Sequence, residues 1–168
     1  MKHIFAGLKI IGPIALLVVG FCSCASTEVQ KPLVNVDKEG VILKGYDAVA
    51  YFKQNKAVKG DPQYSSKYEG AIYYFASEED KAEFDKSPAK YAPQYGGFCA
   101  HSMSKRRIAD IDPNNFFIYK GKLYVCTTAA DVKEIREKPE TPIQAADTNW
   151  DFYKVPENPG FPRYLGGR

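Results

Sequence analysis

Between residues 47 and 150 the chain alternates short β-branched and aromatic runs with segments that open on a hydroxyl residue, an order that points to a small single-domain α+β fold. Gly70-Ala-Ile-Tyr-Tyr-Phe-Ala76 reads as a strand. Asp47-Ala-Val-Ala-Tyr-Phe-Lys53 alternates loosely between Gly45 and Gly60 and is also read as a strand. Phe116–Cys126 reads as a hairpin turning at Lys120-Gly121, where glycine supplies a positive φ. Ser77 is a good helix N-cap, followed by Glu78, Glu79 and Asp80, whose charges suit the helix dipole, so a helix is expected to about Lys86. Thr127 or Thr128 caps a second helix over Ala129–Glu137, and Thr141-Pro142 opens a third carrying Ile143, Ala146 and Trp150. The expected architecture is therefore short antiparallel strands and hairpins packed by about three helices. No internal repeat is evident.

With 168 residues one domain is expected, and its compact part spans 41–153. Upstream, Lys2 and Lys9 flank a basic start, and Ile10–Phe21 is apolar apart from Gly12, Pro13 and Gly20. A run of about a dozen residues is too short to cross a bilayer, which takes roughly 20. Basic, apolar and then small residues read as an export signal. Its end, Phe21-Cys22-Ser23-Cys24-Ala25-Ser26, resembles a bacterial lipobox. Residues 1–23 are thus expected to be a lipoprotein signal peptide and Cys24 the lipidated residue; a cleaved signal without lipid is the alternative. Residues 24–40 read as a tether, and 154–168, with Pro156, Pro159 and Pro162, as a Pro/Gly-rich tail. The formal charge is +3, and loss of residues 1–23 leaves 21 basic against 20 acidic side chains. A near-neutral surface does not favour nucleic acid as a partner. The expected location is the bacterial cell envelope, attached to the membrane through acyl chains.

Chemistry-bearing residues are few. His101 is the sole histidine beyond the signal, and Cys99 and Cys126 are the cysteines of the compact part. No Cys-x-x-Cys, paired-His, phosphate-cradling or Gly-x-Ser-x-Gly motif is present, so a conventional enzyme is the least favoured class. Tyr95-Gly96-Gly97-Phe98-Cys99-Ala100-His101-Ser102-Met103 places a thiol, an imidazole and a thioether within five residues. These donors suit copper as Cu(I), or zinc. In an extended backbone Cys99, His101 and Met103 would share a face; in a helix His101 would point about 200° away from Cys99. Three readings of Cys99 stay open: a small buried hydrophobe, a disulfide partner of Cys126, or a metal or redox centre. His101 is read either as a ligand or as a satisfied structural residue. Tyr46 and Asp47 are added as candidate ligands, because Gly45 frees the backbone and Asp offers oxygen donors. Lys105-Arg106-Arg107 reads as a solvated basic turn that would favour a thiolate if it folded near Cys99.

Several of these segments in order, Gly45-Tyr46-Asp47-Ala-Val-Ala-Tyr-Phe, Tyr68-Glu-Gly70-Ala-Ile-Tyr73-Tyr74-Phe75, Phe84 to Pro88-x-x-Tyr91, Pro93-x-Tyr95-Gly-Gly-Phe-Cys99-Ala100, Asp112-Pro113 and Gly121-Lys-Leu-Tyr124, resemble the exported YHS-domain proteins. The resemblance covers roughly 41–127. It implies a small α+β module and, from relatives found beside metal-handling proteins, an association with metal. The cysteines of those relatives do not carry over, since Asp47-Ala48-Val49, Ala76 and Asp80 stand at their places. The expectation is a membrane-anchored envelope module binding a soft metal through Cys99, His101, Met103, Asp47 and Tyr46. The alternatives are a thiol redox protein using Cys99, with Cys126 as its candidate partner, and a non-catalytic module docking an envelope protein.

Overall fold

The computed structural model describes residues 33–154. The signal peptide, Cys24, the first part of the tether and the tail from residue 155 lie outside the described residues. Leu33, Val34 and Val36 pack on the core, and the Asn35 N–H donates to the Gly96 carbonyl at 2.8 Å.

A buried carboxylate sets the start of the domain. Asp47 Oδ1 accepts the N–H of Val49 at 2.7 Å and of Ala50 at 3.2 Å, while Oδ2 accepts the Ala76 N–H at 2.8 Å. First-turn N–H groups are those a helix leaves unpaired, so an acceptor there starts one. Helix α1 (Ala50–Gln54) follows, and the strand expected over Asp47–Lys53 is instead a cap and a helix. Strand β1 (Asp61–Tyr68) pairs antiparallel with β2 (Ala71–Phe75). The β1 sequence, Asp-Pro-Gln-Tyr-Ser-Ser-Lys-Tyr, is polar and has no fully buried residue, which hid it from a reading by hydrophobic pattern. Ser77 caps α2 (Glu78–Lys86) as expected, accepting the Asp80 N–H. Short helices α3 (Pro88–Tyr91) and α4 (Ala100–Ser104) precede the second hairpin, β3 (Asp112–Tyr119) with β4 (Lys122–Cys126). Helix α5 (Ala129–Glu137) starts on a Thr128–Asp131 capping box, and α6 (Glu140–Tyr153) ends the described chain. The fold is α+β, with two two-stranded antiparallel sheets and six α-helices among the described residues.

The two hairpins belong to one unit built twice. A shift of 51 positions carries Asp61, Pro62, Tyr68, Gly70, Tyr73, Asp80, Glu83 and Pro88 onto Asp112, Pro113, Tyr119, Gly121, Tyr124, Asp131, Glu134 and Pro139. The strand register repeats: Asp61 pairs with Phe75 and, past an irregularity, Ser65 with Tyr74; Asp112 pairs with Cys126 and Phe116 with Val125. Upstream, Leu43-Lys44-Gly45 take φ of 53°, 52° and 75°, and Tyr95-Gly96-Gly97 take 55°, 58° and 81°. Three consecutive left-handed residues are rare, so their recurrence is a strong signature of common architecture. The chain thus holds an internal repeat that its sequence did not make evident. Only eight of 28 aligned positions from 61 to 88 are identical, and most mark turns, helix starts or buried tyrosines. The halves share one core and are stitched by the Tyr51 hydroxyl donating to the Pro113 carbonyl at 3.0 Å and by the Lys44–Asp110 ion pair at 2.7 Å.

Candidate functional site

The repeat places Cys99 where the first half has Asp47. Gly97-Phe98-Cys99-Ala100 matches Gly45-Tyr46-Asp47-Ala48, and the backbone bonds agree. The Asp47 N–H donates to the Val58 carbonyl at 2.8 Å, and the Cys99 N–H to that of Ala109 at 3.0 Å. As Asp47 accepts the Ala50 N–H three residues on, Cys99 Sγ accepts the Ser102 N–H at 3.4 Å and caps α4. The second sulfur arrives from β4, because Cys126 stands where the first half has Phe75. Both cysteines are free thiols with no exposed surface.

The two cysteines are neighbours: in the first half the cap side chain of Asp47 bonds the Ala76 N–H, next to Phe75, and Cys99 and Cys126 stand at the places of Asp47 and Phe75. The neighbouring Cys126 thiol is the main cause holding the Cys99 thiol well below its ordinary range; burial opposes, and the Ser102 N–H assists. Cys126 is pushed up by its Cys99 neighbour and by burial, against which the His101 backbone N–H works. These opposite directions favour thiolate at Cys99 and thiol at Cys126. Thiolate is the form of cysteine that attacks electrophiles and binds metal.

The structure divides the other expected ligands. His101 lies in α4 with its ring against α5: Nδ1 is 2.7 Å from Asp131 Oδ1, and Nε2 approaches Glu134 Oε2 at 2.9 Å without an aligned hydrogen bond. With a carboxylate against each nitrogen, the ring works as a clamp between helices. Met103 is fully buried in the core. Asp47 spends its oxygens on three backbone N–H groups, and burial still raises its pKa above the usual carboxylate value, with Asp80 adding to the rise. Tyr46 lies beneath Lys59 Nζ, 4.9 Å from its ring centre. Among the described residues no group of three or more His, Cys, Asp or Glu side chains is arranged to hold a metal ion. Of the expected partners of Cys99, the redox partner Cys126 is the one whose thiol influences it, as the first cause lowering its pKa. Lys105 reaches Glu134 at 3.1 Å, and Arg106 lies over the Phe152 ring.

Ser102 and Thr127 as sulfur partners, and Asp131 and Glu134 as the histidine clamp, escaped the sequence reading. The repeat was the available signal, since Asp131 and Glu134 occupy the positions of Asp80 and Glu83. A groove of about 780 Å³ lies elsewhere, lined by Tyr68, Tyr95, Trp150 and Asp147 among others, and contains neither cysteine nor His101.

The family model for the YHS domain matches residues 49–95. No curated protein and no solved structure matches the chain. The match covers α1, the first hairpin, α2 and α3, and it stops short of Cys99. Residues 49–95 therefore match the YHS domain, and they are followed by a second unit of the same architecture that holds the two cysteines.

Proposed function

We propose that this is an exported, lipid-anchored protein whose Cys99–Cys126 pair binds a soft monovalent metal, Cu(I). The observation that carries this reading is the placement of two buried free cysteines side by side, one at the start of α4 and one at the end of β4. Soft thiolate donors select Cu(I), and displacing the Cys126 proton would supply a second. Zinc is the weaker choice, because its sites are almost always four-coordinate and two sulfurs supply half of that set. The YHS domain adds support through its common association with metal handling, copper included. His101 and Met103 leave the ligand set, and Cys126 enters it.

The test is a Cu(I) titration of the reduced full chain against a competing chelator. Cys99→Ser and Cys126→Ser should each lose about one equivalent relative to the parent. Cys22 and Cys24 are common to all variants, so the difference isolates the buried pair. Equal stoichiometry in parent and variants would overturn the reading. The anchor rests on the lipobox-like Cys24, and Cys24→Ala is expected to move the protein from the membrane to the soluble fraction on cell fractionation.

A further inference from the structure

The first half shows what this unit needs at the two sulfur positions. There Asp47 caps the helix and Phe75 fills the core, so neither place requires sulfur for folding. In the second half both are cysteine, and because Asp47 reaches the Ala76 N–H beside Phe75 in the first half, the same geometry sets the two thiols side by side in the second. A packing role for either would not demand the other. Reach from outside is short, because Ser102, whose N–H bonds the Cys99 sulfur, is half-buried and Thr127, next to Cys126, is exposed. The Thr127 hydroxyl is itself tied to the second half, donating to the Asp110 carbonyl at 2.6 Å.

We propose that Cys99 and Cys126 form a dithiol–disulfide couple that exchanges with external small-molecule disulfides. The Cys99 thiolate attacks one sulfur of the incoming disulfide, forming a mixed disulfide and releasing one small thiolate. Cys126 then gives up its proton to that thiolate and attacks the Cys99 sulfur, forming the internal bond and releasing the second small thiolate. Two protein sulfurs are oxidised and the external disulfide is reduced to one thiol and one thiolate. The reverse sequence restores the pair. Because the bond consumes both donors, oxidation would also switch off Cu(I) binding; that consequence rests on the metal reading, whereas the exchange does not.

The experiment incubates the full, metal-free chain with oxidised glutathione and maps peptides by mass spectrometry without reduction. The expected result is a cross-link between the Cys99 and Cys126 peptides with loss of two free thiols, reversed by dithiothreitol. Cys126→Ser should instead stop at a glutathione adduct on Cys99. A lasting glutathione adduct on Cys99 in the parent, or both thiols left free, would overturn the proposal. A Cu(I) titration of the reduced and oxidised forms separates the two claims. A cross-link with no Cu(I) uptake by reduced protein sinks the metal reading alone, and uptake without a cross-link sinks the exchange alone.

Discussion

At positions 47 and 99 a buried side chain meets the same demand, an acceptor for the N–H groups of a helix that is just starting. A carboxylate answers it with three hydrogen bonds in the first half; a sulfur answers it with one backbone bond and a thiol neighbour in the second. The sulfur pair also gives stability a particular pH dependence. Unfolded thiols titrate near pH 8.5. From the lowered Cys99 value up to about 8.5 the unfolded chain holds two protons on these sulfurs and the folded chain one, so stability rises with pH across that window. Above about 8.5 the unfolded chain has lost both protons while folded Cys126 keeps its own, so stability falls. The stability difference between the parent and the Cys99→Ser/Cys126→Ser double variant, from denaturant melts across pH, should peak near the ordinary thiol pKa. A flat difference would contradict the opposite shifts of the two thiols. Cysteine is an uncommon cap, so sequence reasoning weighed Cys99 as ligand, hydrophobe or disulfide partner and never as the start of a helix.

Helix α5 is fastened at its start by the Thr128–Asp131 capping box, and Asp131 and Glu134 hold the His101 ring of α4. The clamp lowers the Glu134 pKa, through His101 first and Lys105 second. His101→Ala is expected to destabilise the fold by about 1–3 kcal/mol, since it leaves the partly buried Asp131 carboxylate without its ring partner. The same variant should retain full Cu(I) stoichiometry, which distinguishes a clamp from a ligand by titration. The hairpin at Lys120-Gly121 and helices α2, α5 and α6 were legible because turn glycines, caps and acidic first turns are local signals. Helices α1 and α4 were not, because each has only five residues and its cap is either buried or sulfur. The convergence of Cys126 on Cys99 depends on β4 packing beside α4, a long-range contact that spacing along the chain does not encode.

Duplicated units can fold as independent domains, but these share a core and exchange contacts across their boundary. Thermal unfolding should therefore follow a single transition with coincident probes in both halves. Tyr51→Phe, which removes the bond to Pro113, should cost about 0.5–1.5 kcal/mol and lower that one midpoint without splitting it. Two resolved transitions would show separable halves. The YHS match ends at Tyr95, where the second unit opens, and that unit carries other side chains on the same strand register. Having the sulfur-free frame beside the sulfur-bearing one, the molecule carries its own blank. Matched reporters at the two hairpin tips, Gly70 and Gly121, would read events at the thiols at one end against an inert reference at the other.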